Sequence, residues 1–127
     1  MKPCENWELY KQTVFKYPED FVLSKKFGLV SHENPLGKDG HIDEPTEKLS
    51  KNQRAKILGH LVGCSPDFQH QEHSIAFSLS KEDVIQIGVL WSQDAIFYIQ
   101  NGKLLLVHCE SYQEECLGEF TDRLIRN

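Results

Sequence analysis

Four residues of the types that bind zinc occur in two parts of the sequence. Cys64, His70 and His73 have the spacing Cys-x5-His-x2-His, and Cys109 follows later, directly after His108. A structural zinc site needs four such ligands in a tetrahedron. The spacing matches no standard zinc motif, and the sequence has no Cys-x-x-Cys pair. We therefore predict no metal site and no cofactor, and leave open whether these four residues converge.

The same residues raise the question of a thiol enzyme. Cys109 follows His108 at the end of a predicted strand, where neighbouring side chains point to opposite faces. These two residues therefore cannot act together as nucleophile and base. Other histidines are available, but no spacing places one of them beside Cys109. We predict no catalytic residue, and we interpret the chain as a binding protein rather than an enzyme.

Acidic residues form two groups that favour a binding surface. The first group lies in residues 31–49, where prolines, glycines and alternating charges predict a long mobile loop. The second lies near the C-terminus, where the spacing of the acids by four and three predicts one face of a helix. The predicted partner contacts are Asp39, Asp43, Glu44, Glu115, Glu119 and Asp122. An anionic surface of this kind complements a basic protein, for example a nuclease toxin that must itself hold a phosphate backbone.

Composition and charge narrow the class of protein. The 127 residues are expected to form a single domain, 1–127. The formal net charge of −5 is evidence against direct nucleic-acid binding. No apolar run is long enough to span a membrane, and the first residues do not resemble a signal peptide. We therefore predict a cytoplasmic protein with its four cysteines as free thiols.

The segment from Asp83 to Cys109 is the strongest predictor of the fold. Three apolar runs rich in β-branched and aromatic residues are separated by turn residues, and Asn101-Gly102 is typical of a type I′ hairpin turn. We predict a four-stranded antiparallel meander over about residues 74–109, with one strand at 84–91. A weaker strand within 21–30 is expected to pair with its edge.

Apolar residues at helical spacing predict three helices. Capping-box patterns occur at Ser50–Gln53 and Ser111–Glu114, and Pro18 would end the first helix. The predicted helices lie near residues 5–17, 51–62 and 112–125. Packing of these helices against the meander defines an α+β fold.

Three functions agree with these features. The first is a small acidic protein that neutralises or chaperones one protein partner, as immunity proteins and antitoxins do. The second is a small enzyme or ligand-binding domain with a pocket between the sheet and the 31–49 loop. The third is a subunit of a homo-oligomer, such as a dimer, because residues 84–91 are apolar on both faces of the predicted strand. We favour the first.

Overall fold

Strands make up most of the regular structure. The computed structural model describes residues 7–18, 21, 23–31 and 49–126. The elements in chain order are α1 (Trp7–Tyr10), β1 (Val14–Tyr17), β2 (Lys26–Ser31), α2 (Lys51–Ala55), β3 (Ile57–Cys64), β4 (Gln71–Phe77), α3 (Lys81–Leu90), β5 (Ala95–Gln100), β6 (Lys103–His108), β7 (Glu114–Glu119), a 3-10 helix (Phe120–Arg123) and β8 (Leu124–Arg126). Within these ranges, no helix has the length and apolar character needed to cross a membrane.

The eight strands form one mixed sheet in the order β7-β6-β5-β2-β4-β3-β1-β8. Among the described strands, β1 and β8 pair in parallel and the other neighbours are antiparallel. A flat sheet of eight strands would place its outermost strands about 34 Å apart. The outermost strands here, β7 and β8, are joined by the 3-10 helix, and the step from Glu119 to Leu124 covers about 18 Å at most. The sheet therefore curls into a half-barrel.

Aromatic rings on the concave face confirm the curl. Phe15 of β1 and Phe97 of β5 lie four strands apart in the sheet order, about 19 Å in a flat sheet. Their ring centroids are 5.1 Å apart. Phe120, from the 3-10 helix, packs against Phe15 at 5.5 Å and against Phe27 at 5.6 Å. These rings fill one part of the concave face and bring β1, β2 and β5 into contact with the 3-10 helix.

Helix α3 covers the convex face. Its buried residues are Val84, Ile85, Ile87 and Gly88, which join the second apolar cluster of the molecule. The helix begins at Ser80, whose hydroxyl accepts a hydrogen bond from the Asp83 N–H, and acidic residues occupy its first turn. The two faces of the sheet therefore carry separate apolar cores.

The predicted α+β fold is wrong, because most of the segments predicted to be helical are strands. The first predicted helix, near 5–17, is reduced to the four residues of α1, followed by β1. The second, near 51–62, ends at Ala55 and continues as β3. The third, near 112–125, is β7, the 3-10 helix and β8. Pairing with neighbouring strands outweighs local helical spacing in each case.

The four-stranded meander at residues 74–109 is also wrong. Of residues 84–91, predicted as a strand, 84–90 belong to α3 and Trp91 is its C-cap. Four positions of this helix are buried, so its sequence is a nearly continuous apolar run. The periodicity of such a run does not distinguish a buried helix from a buried strand. One side of this segment packs on the sheet, so its apolar residues on that side are buried without a second copy of the chain.

Several local predictions are confirmed. Asn101 and Gly102 have φ values of 53° and 79°, as a type I′ turn requires, and they join β5 to β6. The capping box at Ser50–Gln53 is formed. The strand within 21–30 exists as β2, but it lies in the middle of the sheet between β4 and β5. The second capping box is not formed, since the Ser111 N–H donates to His108 Nδ1 instead.

Candidate functional site

A cavity of about 630 Å³ opens on the concave face beside the packed rings. Its apolar wall comes from four strands, because Phe15, Leu29, Phe97 and Leu106 belong to β1, β2, β5 and β6. Leu29 lies opposite Phe97, and Phe97 lies opposite Leu106, so these three side chains form one row across the sheet. The cavity therefore has a continuous apolar wall.

Polar side chains line the other wall. Ser31 of β2 and Ser74 of β4 are register partners, and their hydroxyl oxygens are 3.1 Å apart. Ser74 is only 2% exposed. Glu72 lies two residues earlier on β4 and faces the same way, because side chains alternate along a strand. The cavity thus passes from an apolar wall to a wall of hydroxyls and a carboxylate.

The β3–β4 turn contributes Asp67 and His70 to the rim. The Asp67 carboxylate accepts hydrogen bonds from the Ser65 hydroxyl at 2.6 Å and from the Gln69 N–H at 3.0 Å. These bonds, the first above all, lower the pKa of Asp67 below its usual range. Asp67 is therefore charged at neutral pH, and its oxygens stabilise the turn.

The fourth side of the cavity is formed by α1 and the residues that follow it. This segment is held by Glu115 of β7, which pairs with Lys11 at 2.8 Å and accepts a 3.4 Å hydrogen bond from the Trp7 indole. Arg123 adds hydrogen bonds to the backbone oxygens of Lys11, at 2.7 Å, and Thr13, at 3.1 Å. The Lys11 bond, followed by the Trp7 bond, lowers the pKa of Glu115. We call these contacts the α1 anchor.

The predicted acidic contacts do not share one helix face. Glu115 lies on β7 within the α1 anchor. Glu119, at the end of the same strand, pairs with Lys103 of β6. Asp122 is exposed on the 3-10 helix. Asp39, Asp43 and Glu44 lie outside the described residues, as does the 31–49 loop apart from residues 31 and 49.

The four residues considered as zinc ligands are divided between the two faces of the sheet. Cys64 and His70 line the cavity. His73 lies on the convex side, since it alternates with the cavity-facing Glu72 and Ser74. Cys109 is buried on the convex side beneath Gly88 of α3. Across the described part of the chain, no three residues of these types are grouped to hold a metal ion.

The Cys64 thiol is not prepared for nucleophilic chemistry. It is buried, and burial is the main cause that raises its pKa, with a smaller opposing effect from the nearby Lys16 cation. A raised pKa keeps the group as a thiol, whereas the thiolate is the reactive form. The Sγ atom lies 3.6 Å from the carbonyl oxygen of Val62, to which it donates a weak hydrogen bond.

Sequence reasoning missed the residues that define the cavity. Phe15, Leu29, Phe97 and Glu72 are far apart in the chain, and only the strand order brings them together. One signal was available. On β4, the small residues Ser74 and Ala76 alternate with the large residues Ile75 and Phe77. The face of a strand that carries small side chains leaves space between the strand and whatever packs over it.

Comparison of the chain with protein-family models, with curated proteins and with solved structures gives no match.

Proposed function

We propose that the protein binds a small molecule, with an apolar body and a polar end, in the cavity of the half-barrel. The observation that carries this proposal is the 630 Å³ space on a face that is otherwise filled by aromatic rings. Cavities of about 300–1,000 Å³ are typical of small-molecule sites.

The two walls of the cavity define how the molecule would lie. Its apolar body would contact Tyr10, Ala95 and Phe97, which line the cavity and keep some accessible surface, and burial of that apolar surface supplies most of the affinity. Its polar end would face Ser31, which is partly exposed and whose hydroxyl can both donate and accept. The raised pKa of Cys64 favours binding over catalysis at this site.

The alternative of an inhibitor of a basic protein has less support from the structure. Two of its predicted contacts, Glu115 and Glu119, already pair with Lys11 and Lys103. The remaining acids do not form one surface in the described part of the chain. For the compartment we propose the cytoplasm, because Cys64, Cys109 and Cys116 are free thiols.

Titration with prodan, a neutral dye whose emission shifts to the blue in apolar surroundings, tests the proposal. We expect saturable binding of one dye per chain. Ala95, which lines the cavity, is the residue to change. Ala95→Leu adds three carbons to the space and should weaken prodan binding at least about tenfold, the loss of about 1.4 kcal/mol.

The matched control alters exposed apolar surface elsewhere. Val89 is 59% exposed on α3, on the convex side. Val89→Ala should leave the prodan titration unchanged. Unsaturable dye binding, or equal binding by wild type and Ala95→Leu, would contradict a ligand site in the cavity.

A further inference from the structure

The pairing of two central strands ends where the cavity meets the sheet. The described pairs of β2 with β5 run only as far as Leu29 and Phe97. On one side of this point β2 remains paired, since Ser31 is the register partner of Ser74 on β4. On the other side β5 remains paired with β6 as far as Ala95. Ser31 and Ala95 both line the cavity and are partly exposed, so they mark where a bound molecule reaches the sheet.

The burial of Ser74 decides the direction of its hydrogen bond with Ser31. The two hydroxyl oxygens are 3.1 Å apart, so one of the groups donates to the other. Ser74 is 2% exposed, and among the described residues its hydroxyl has Ser31 as its one hydrogen-bond partner. If Ser31 donated, the Ser74 hydrogen would be buried without an acceptor, which is unfavourable. A buried oxygen with an unused lone pair is tolerated better than a buried donor without a partner. Ser74 therefore donates, and Ser31 accepts.

The hydrogen of the Ser31 hydroxyl then remains available to the cavity. A serine hydroxyl has one hydrogen and two lone pairs, and the bond from Ser74 occupies one lone pair of Ser31. Within the described part of the chain, no acceptor lies within hydrogen-bond distance of the Ser31 hydroxyl apart from Ser74. A molecule that displaces water from the Ser31 hydroxyl must therefore supply an acceptor, or the donor is left unpaired.

A carbonyl oxygen matches this donor. It accepts hydrogen bonds and brings no hydrogen of its own that would need a partner. We infer that the molecule bound in the cavity carries a carbonyl oxygen, as in a ketone or an ester, which accepts a hydrogen bond from the Ser31 hydroxyl. Ser31 is thus the residue that selects the polar end of the ligand. This inference rests on the proposed function and specifies its ligand class.

Two compounds of nearly the same shape test the inference. Acetylnaphthalene carries a carbonyl oxygen where isopropenylnaphthalene, substituted at the same ring position, carries a methylene group. Each would be titrated against bound prodan, with the prodan dissociation constant measured separately for every variant. Because the two compounds differ in hydration, the quantity compared is the ratio of their affinities in the wild type and in each variant.

Three single variants assign the effect to one hydroxyl. Ser31→Ala should weaken acetylnaphthalene roughly fivefold, the equivalent of one net hydrogen bond, and leave isopropenylnaphthalene unchanged. Ser74→Ala should preserve the wild-type ratio, because the Ser31 hydroxyl keeps its hydrogen. Ser78→Ala is the matched control, since it removes an exposed hydroxyl just after β4 that does not line the cavity. It should change neither affinity.

A double variant separates ligand binding from folding. Ser31→Ala alone leaves the buried Ser74 hydroxyl without its acceptor, so this variant should melt at a lower temperature than the wild type. Ser31→Ala combined with Ser74→Ala removes both hydroxyls and leaves no such donor. The double variant should show the same fivefold loss for acetylnaphthalene. The affinity of isopropenylnaphthalene reports in each variant whether the cavity is intact.

The outcomes separate the inference from the proposed function. If Ser31→Ala and the double variant weaken both compounds equally, or weaken neither, the carbonyl ligand class is wrong and the cavity remains a binding site. If Ser74→Ala lowers the ratio as much as Ser31→Ala does, the assignment to Ser31 is overturned. If neither prodan nor the two compounds bind in a way that Ala95→Leu weakens, both proposals are overturned.

Discussion

The two faces of the curled sheet are packed in opposite ways. On the convex face, α3 lies so close to the strands that a Cβ at Gly28 would stand 2.5 Å from the Val84 methyls. A Cβ at Gly88 would stand 2.6 Å from Ile96 Cγ2 and 2.8 Å from Cys109 Sγ. On the concave face, the same sheet leaves a cavity of about 630 Å³. One face has no space for a methyl group, and the other has space for a small molecule.

This difference shows that the cavity does not result from a shortage of apolar residues. The concave face contains the larger aromatic side chains, including Phe15, Phe27 and Phe120. The space remains because small residues, Gly63, Ser74 and Ala95, occupy positions where larger ones would fill it. Ser74 is nearly inaccessible, so a small polar residue stands where a larger apolar one would pack. Small residues at these three positions are what we expect of a ligand-binding site.

The largest predicted effect concerns the part of the concave face that is filled. Phe120 is fully buried between Phe15 and Phe27 and closes the link between the edge strands. Phe120→Ala should lower the free energy of unfolding in urea by about 3–5 kcal/mol, because it removes a buried ring and leaves a void. Phe68→Ala, at a ring that is 43% exposed, should change it by less than about 1 kcal/mol. A loss of less than about 1 kcal/mol for Phe120→Ala would contradict tight packing of the rings around Phe120.

The second prediction compares the faces directly by adding three carbons to each. Gly88→Val inserts them between α3 and the sheet, and should cost about 1–3 kcal/mol or more from overpacking. Valine has a higher helix propensity than glycine, so the loss would be due to the contact. Ala95→Leu inserts them into the cavity, and should change stability by less than about 1 kcal/mol. Equal losses in thermal or urea unfolding would mean that the two faces are packed alike.

Local chemistry in the sequence was enough to predict the turns but not the sheet. The Asn101-Gly102 turn and the Ser50–Gln53 cap depend on residues within four positions of each other, and both are present. The prediction of a helix near residues 112–125 is wrong because the apolar spacing there also permits a strand, and the edge of β6 was available for pairing. The Ser80 cap before α3 was missed, although serine followed by acidic residues is typical of a helix start.

The candidate site could not be predicted for a topological reason. Phe15, Gly63 and Glu72 come together only because β1 pairs with β3 and β3 pairs with β4. The parallel pairing of β8 with β1, which curls the sheet, joins the two ends of the described chain. Long-range pairings of this kind leave no pattern in a single sequence, since each strand satisfies the same local preferences with any neighbour.

The smallest predicted effect concerns the α1 anchor at the side of the cavity. Glu115→Gln removes the charge that pairs with Lys11, and should lower the melting temperature modestly at pH 7, because the pair is partly exposed. The folded-state pKa of Glu115 is lowered, first by Lys11 and then by Trp7. The carboxylate therefore stabilises the fold fully above the ordinary glutamate pKa of about 4.3. That contribution is lost as the pH falls through this value toward the lower folded-state pKa.

The difference in melting temperature between wild type and Glu115→Gln should consequently shrink as the pH falls below about 4.3. Prodan affinity should also fall, because α1 forms one side of the cavity. Glu119→Gln is the matched control, since its partner Lys103 lies in the β5–β6 hairpin and neither residue lines the cavity. Equal prodan affinities for the two variants would show that Arg123, through the carbonyls of Lys11 and Thr13, positions this side of the cavity without the Glu115 charge.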